Sequence, residues 1–387
     1  MRSSYLAFGR PDITDEEVNA VSRVMRSGWI GMGEETIRFE AELATYLGAP
    51  NVVTVNSCTS ALFLSLLATG VGPGDEVICP SLTWCSTANA ALYLGATPVF
   101  CDVDEETLNA TPATVAAALS DRTKAVVLVH FGGLAMDIAS IRDVIPADIQ
   151  IVEDGAHAFG ARYPVGTMVG SSGNSVCFSF YANKNLSTAE GGAVALTDDA
   201  AAARIRSLRQ HGLPVDAWKR FTDPKTTYLT GDVTELGYKM NFTDLQSALG
   251  RVQLRRFRHM QERRSEIAEY YAARIGADAK QVRMQQGVAT SAHAKHLFVI
   301  RLPLEQMKCS RDQFLLSFRE RNIGATVHYT PLHWMQLYKD RARHADLPTT
   351  ERLGARILTL PISASMSLGD AEDVCDHLAA ELDRQIT

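Results

Sequence analysis

A carboxylate and a lysine thirty positions apart are the residues whose types and placing could do chemistry in this sequence. Glu153-Asp154-Gly155-Ala156-His157 closes an apolar run, QIVEDGA (150–156), and Lys184 follows a second one, SVCFSF (175–180), just before Glu190-Gly191-Gly192. If both runs are strands of an open parallel sheet, their carboxyl ends face the crevice where such sheets bind ligands. An amine and a carboxylate converging there meet the demands of pyridoxal 5'-phosphate (PLP). That cofactor needs a lysine for a Schiff base and a carboxylate to keep its pyridine nitrogen protonated, so that the ring accepts electrons from a carbanion. Taken singly, Asp154 reads more readily as a helix cap and Lys184 as a solvated side chain; their joint placement reverses this and favours the cofactor.

The elements that must hold these residues follow from periodicity. Thr14-Asp15-Glu16-Glu17 is a capping box opening a helix to about Ser27, and the glycine-rich SGWIGMG (27–33) is a loop. Short β-branched runs then alternate with Ala- and Leu-rich ones: VVTV (52–55), SALFLSLLA (60–68), EVICP (76–80), STANAALYLG (86–95), PVFCDV (98–103), PATVAAALS (112–120) and AVVLVHF (125–131). With QIVEDGA, SVCFSF and GGAVALTDD, this predicts an α/β architecture with a mostly parallel, seven-stranded sheet flanked by helices. A loop is expected over 213–236, then one long helix from Thr243 to about Ile275, on which the boundary between domains 1–245 and 246–387 is placed. The remainder predicts a smaller α+β domain: strands at 296–303 and 325–332, a helix after the Ser310–Gln313 box, and a terminal helix from about Gly369.

Length and composition exclude several classes. At 387 residues the chain exceeds one ordinary core of about 150 residues, and 46% hydrophobic residues are enough to build one. A net charge of −6 is the wrong sign for a nucleic-acid binder. No apolar run reaches the roughly 18 residues of a membrane span, and the N-terminus lacks a secretory apolar region. Seven scattered cysteines without a C-x-x-C pair read as reduced thiols of a cytoplasmic protein. Gly70-Val71-Gly72-Pro73-Gly74 follows a helix and precedes a strand, the reverse of a dinucleotide loop. His293 with His296, and His328 with His333, lack acidic or thiol partners at metal-binding spacing, so they read as structural or surface histidines and no metal is expected.

The chain resembles the DegT/DnrJ/EryC1/StrS family of sugar aminotransferases, of fold-type I PLP-dependent architecture. The resemblance is carried by SGWIGMG (27–33), NSCTSAL (56–62), PGDEVICPSLTWCSTANAALYLGATPVFCDVD (73–104), EDGAHAFGA (153–161), SFYANKNLSTAEGGAVALTDD (179–199), RQHG (209–212), ELGYKMNFTDLQSALGRVQL (235–254) and VHYTPLH (327–333). It implies that Lys184 is the Schiff-base lysine, that Asp154 pairs with the pyridinium nitrogen, and that His157 stands beside the cofactor ring. Trp84 matches the aromatic stacked on the ring, and Thr59, Ser60 and Ser179 match phosphate binders. A helix start at Thr59 and Ser60 favours an anion independently, through free N–H groups and the helix dipole. Cys58 stands where many members have Gly, and Lys239 and Asn241 where many have Asn and Arg. A branch with Lys and Asn there exists, and by that match Asn241 contacts the phosphate of a neighbouring subunit, implying a homodimer with shared sites.

The reaction implied is amino transfer from an amino acid, L-glutamate first, to the keto group of a nucleotide-activated sugar. A sugar 3-dehydratase branch has His in place of the lysine, and this chain keeps Lys184. Two alternatives are an aminotransferase acting on a keto-inositol or aminocyclitol, and a non-catalytic PLP-binding regulatory protein. The loops 27–34, 213–236 and 328–338 are the expected determinants of sugar, nucleotide and product stereochemistry.

Overall fold

The computed structural model describes residues 2–213, 233 and 235–386, so the loop expected at 213–236 lies almost wholly outside the described residues. In chain order the elements are α1 (Asp15–Ser27), α2 (Glu34–Leu47), β1 (Asn51–Val55), α3 (Cys58–Ala68), β2 (Glu76–Pro80), α4 (Cys85–Tyr93), β3 (Thr97–Cys101), α5 (Pro112–Ala116), β4 (Thr123–Val129), α6 (Ile138–Arg142), β5 (Gln150–Asp154), β6 (Ser175–Ser179), β7 (Gly192–Leu196) and α7 (Asp199–Leu208). There follow α8 (Asp244–Asp278), β8 (Arg283–Met284), β9 (Phe298–Arg301), α9 (Arg311–Glu320), β10 (Arg343–His344), α10 (Pro348–Arg356), β11 (Ile357–Leu360) and α11 (Leu368–Gln385).

The large sheet runs β1-β7-β6-β5-β4-β2-β3-β10. It is parallel except around β7, which is antiparallel to both β1 and β6. The seven expected strands are all present. The correction is an eighth: Arg343 and His344, from the C-terminal part, add a two-residue parallel edge beside Val99 and Phe100 of β3. Two exposed polar residues carry no apolar period, which is why this edge has no sequence signature. The central strands are buried along nearly their whole length because helices cover both faces. α3 is correspondingly apolar all round, with Ala61, Leu62, Leu64 and Leu66 fully buried.

α1 begins as its capping box requires: the Thr14 hydroxyl accepts from the Glu16 N–H and the Glu17 carboxylate accepts from the Thr14 N–H at 2.8 Å. It ends at Gly28, whose φ of 78° is a left-handed cap. α2 has no side-chain cap at its own N-terminus. Its cap is Asp244, whose Oδ1 accepts from the N–H groups of Gly33 (2.7 Å) and Thr36 (3.0 Å), tying the glycine-rich loop to the start of α8.

The C-terminal part contains a three-stranded antiparallel sheet, β11-β9-β8. The strand expected at 325–332 does not form: that segment makes one isolated bridge, Thr326 to Thr359. Pro331 lacks a ladder donor, and His328 and Tyr329 turn into a cavity described below. The strand partner of β9 is instead the apolar ILTL of β11. Along α8 the apolar neighbours change: Phe257 and Met260 pack with Phe39, Phe159 and Phe180, whereas Ile267, Tyr271 and Ile275 pack with Phe298, Phe314 and Leu382. We propose that the two domains meet on this helix between Met260 and Ile267.

Candidate active site

The carboxyl ends of β4, β5 and β6 and the first turns of α3 and α4 enclose a cavity of about 480 Å³. Lys184, Asp154, His157, Trp84, Thr59 and Ser179 all line it, so six of the eight site residues expected from sequence converge. Ser60 and Asn241 do not. The Ser60 hydroxyl donates to Asn56 Oδ1 at 2.6 Å, and the Asn241 amide donates to the Phe242 carbonyl at 3.0 Å.

Asp154 is the last residue of β5 and is 5% exposed. Its Oδ2 accepts from the Thr87 hydroxyl at 2.8 Å and its Oδ1 from the Ala156 N–H at 3.1 Å. Burial pushes this carboxyl above its ordinary pKa, and those two bonds and the charge of Lys184 offset only part of the cost. A cation inside the cavity would supply the remainder. Lys184 lies in the turn after β6. Burial lowers its ammonium to about 8, with Asp154 and the neighbouring Cys58 opposing the shift. An amine with that pKa is partly neutral near physiological pH, as a nucleophile or base must be.

His157 has a fixed tautomer. Its Nδ1 accepts from the Gly132 N–H at 3.3 Å, so the hydrogen resides on Nε2, which donates to the Tyr329 hydroxyl oxygen 2.8 Å away. Burial, reinforced by the charge of Lys184, holds the ring neutral. Trp84 precedes α4 and is 56% exposed, a large apolar face open at the cavity. Tyr329, 5.8 Å away by ring centroids, flanks it.

These residues fit PLP. Ser57, the N-cap of α3, and Thr59 in its first turn place a helix N-terminus on the cavity, a site suited to phosphate. Gly192 lets the backbone approach that turn: a Cβ there would lie 2.6 Å from the Cys58 nitrogen. Asn183 Oδ1, also in the lining residues, is buried without a hydrogen-bond partner. Lys184 would supply the amine and under-satisfied Asp154 the anion for a pyridinium nitrogen. Over residues 11–379 the chain matches the model of the DegT/DnrJ/EryC1/StrS aminotransferase family. It belongs to that family. The chain is therefore a PLP-dependent aminotransferase of fold-type I. It is 42% identical to the spore coat polysaccharide biosynthesis protein SpsC of Bacillus subtilis, over 97% of this chain and 96% of that protein. Its fold superposes on Helicobacter pylori PseC, an aminotransferase involved in pseudoaminic acid biosynthesis, with a TM-score of 0.90 at 26% identity, covering 98% of this chain and 100% of that one. The PLP form of Streptococcus pneumoniae Spr1654 gives a TM-score of 0.89 at 27% identity, covering 99% and 100%.

Three further residues at the cavity lie outside the sequence expectations, the first being His328, which the sequence presents as a structural or surface histidine and which lines the cavity. Tyr329 lies within the matching VHYTPLH stretch, which marked the segment but not the residue. His296, read as structural or surface, has its Nε2 3.3 Å from Lys184 Nζ. For its companion His293 the structural reading is right: it is fully buried, and its Nδ1 accepts from the Lys295 N–H at 2.8 Å.

Proposed function

We propose that this aminotransferase moves the amino group of an amino acid, L-glutamate, to the keto group of a nucleotide-activated deoxysugar. The observation that carries the reading is the meeting of a depressed-pKa lysine with an under-satisfied buried carboxylate at the strand ends. The relatives' part in polysaccharide and aminosugar-acid synthesis supports a sugar acceptor.

Thr59, Ser57 and Ser179 would hold the cofactor phosphate, Asp154 its ring nitrogen, Trp84 and His157 the two sides of the ring, and Lys184 its aldehyde carbon. When bound, PLP supplies an electron sink that stabilises a carbanion at the amino acid Cα. Lys184 then has two parts. Its amine would give way to the incoming amino group and, once free, would move a proton off the Cα, which its pKa of about 8 allows near neutral pH. Asp154 remains ionised against the ring nitrogen. Thr87, itself 2.9 Å from Thr83, fixes the carboxylate's orientation by hydrogen bond. Neutral His157 and Tyr329 close the inner side of the cavity without adding charge.

A panel of nucleotide-ketosugars and keto-inositols incubated with glutamate, scored by mass spectrometry for exchange of keto oxygen for amine, tests this reading. Conversion of a nucleotide-ketosugar is expected. Conversion of a keto-inositol alone would overturn the acceptor assignment.

We further propose a homodimer, working in the cytoplasm, in which Asn241 of one chain serves the partner's phosphate. Asn241 does not line the cavity of its own chain. Among the described residues no helix is long and apolar enough to cross a membrane. Mixing Lys184→Ala with an inactive Asn241→Asp should restore roughly a quarter of wild-type activity, since about half the dimers are mixed and each has one intact site. No recovery after verified subunit exchange would overturn the shared site.

A further inference from the structure

Over the two halves of a transamination the lysine is released as a free amine and must at the end return to the same place. A lysine side chain is rich in rotamers, so a fixed partner for Nζ decides where it waits. His296 is built as such a partner. It is 3% exposed, its Nε2 lies 3.3 Å from Lys184 Nζ, and its Nδ1 lies 3.2 Å from Asn185 Oδ1.

The direction of each bond follows from Asn185. Its Nδ2 donates to the Ala294 carbonyl at 2.6 Å, and a carbonyl only accepts, so the amide cannot be flipped. Asn185 Oδ1 therefore faces the imidazole, and the ring must carry its hydrogen on Nδ1. Nε2 is left with a lone pair aimed at the lysine. Protonating the ring would put a second cation against the ammonium. Burial, with the charges of Lys184 and Arg264 nearby and the neutral rings of His157 and His328 around it, holds His296 neutral. Around Lys184 itself the other facing titratable groups are Cys58, Asp154 and the neutral rings of His157 and His328.

We propose that His296, locked by Asn185 in the Nδ1–H tautomer, is a positioning residue that accepts a hydrogen bond from the freed Lys184 and holds it for return. The proton stays on the lysine until the reaction takes it, so His296 itself does not titrate. The inference rests on Lys184 being the reacting lysine and is independent of the acceptor sugar.

Competitive labelling with trace acetic anhydride, in the full chain freed of cofactor and read by peptide mass spectrometry, gives the pH midpoint of Lys184 reactivity. The wild-type midpoint is expected near about 8. His296→Leu removes an acceptor that favours the ammonium, so the midpoint should fall by about one pH unit. His296→Gln, which offers an acceptor oxygen, should restore it. A midpoint that stays or rises in His296→Leu overturns the proposal.

Asn185→Asp asks the same question with the ring in place. A carboxylate at 185 draws a proton onto the imidazole and turns Nε2 into a donor, so the Lys184 midpoint should again fall. A rise, the direct effect of a new negative charge nearby, overturns it even if His296→Leu fails to fold. Borohydride reduction of the wild-type holoenzyme reports separately on Lys184. Cofactor fixed to another lysine overturns both assignments, whereas cofactor on Lys184 with unmoved labelling curves overturns only the role of His296.

Discussion

The two faces of β5 at its carboxyl end carry adjacent carboxylates with opposite fates. Successive strand residues point to opposite faces, so Glu153 and Asp154 share a backbone and little else. Glu153 is fully buried and accepts from His130 Nε2 (2.8 Å), Tyr163 Oη (2.6 Å), Asn174 Nδ2 (2.8 Å) and the Ser172 hydroxyl (2.5 Å). His130 Nδ1 accepts from the Met136 N–H, so its Nε2 is the donating nitrogen. These donors hold the Glu153 carboxyl below its ordinary pKa despite the burial that opposes them. Asp154 has two donors, and its pKa is raised. The difference separates structure from function: a saturated carboxylate needs nothing more, whereas an under-satisfied one beside an open cavity is prepared for a cation that arrives with a ligand.

The largest expected effect breaks the functional side. Asp154→Asn keeps the shape and the hydroxyl contact but removes the charge proposed to face the cofactor nitrogen. Turnover should drop on the order of a hundredfold or more, while PLP is retained. Single-turnover kinetics of the PLP form with glutamate locate the loss. A near-normal rate would show Asp154 to be as structural as its neighbour.

The same contrast explains how much was legible in the sequence. β1 to β7 were readable because strands buried on both faces are continuous apolar runs. Asp154 and Lys184 were readable because two strand ends and two reactive residue types coincide. α2 was not, since its cap is Asp244, more than two hundred residues away. The segment 325–332 has strand-like residues, but its backbone is used to place His328 and Tyr329 at the cavity instead of in a ladder. His296 has no signature in the sequence because its partners, Asn185 and Lys184, are distant along the chain.

Glu153→Gln sharpens the comparison from the other side. A glutamine brings an NH₂ among groups that donate, so at least one buried donor loses its partner, at a cost of about 3 kcal/mol in urea unfolding. Turnover per folded molecule should stay within about twofold, an inversion of the Asp154→Asn result. The pH dependence has a definite sign. Glu153 binds fewer protons folded than unfolded, so its stabilisation is complete above the ordinary carboxylate range and is lost as pH falls through the lowered folded value. The stability gap between wild type and Glu153→Gln should therefore narrow in acid. A gap constant with pH would mean that the charge of Glu153 contributes nothing.

The smallest effects concern one aromatic on each face. Tyr163 is 5% exposed and donates its hydroxyl to Glu153, whereas Trp84 is 56% exposed at the cavity beside Tyr329. Tyr163→Phe leaves the ring packed and deletes one bond to a charged acceptor, so it should lower stability by about 1.5 kcal/mol and leave PLP affinity unchanged. Trp84→Ala deletes a face that has little of the protein's own interior against it, so the unfolding midpoint should barely move. Its cost should appear in cofactor retention. An aromatic stacked on the ring contributes on the order of 1 kcal/mol beyond buried area, about a fivefold weaker PLP affinity on dilution. Unchanged PLP affinity with a large drop in stability in Trp84→Ala would place Trp84 with Tyr163, as packing, and would remove the stacking role from the cavity side of the strand.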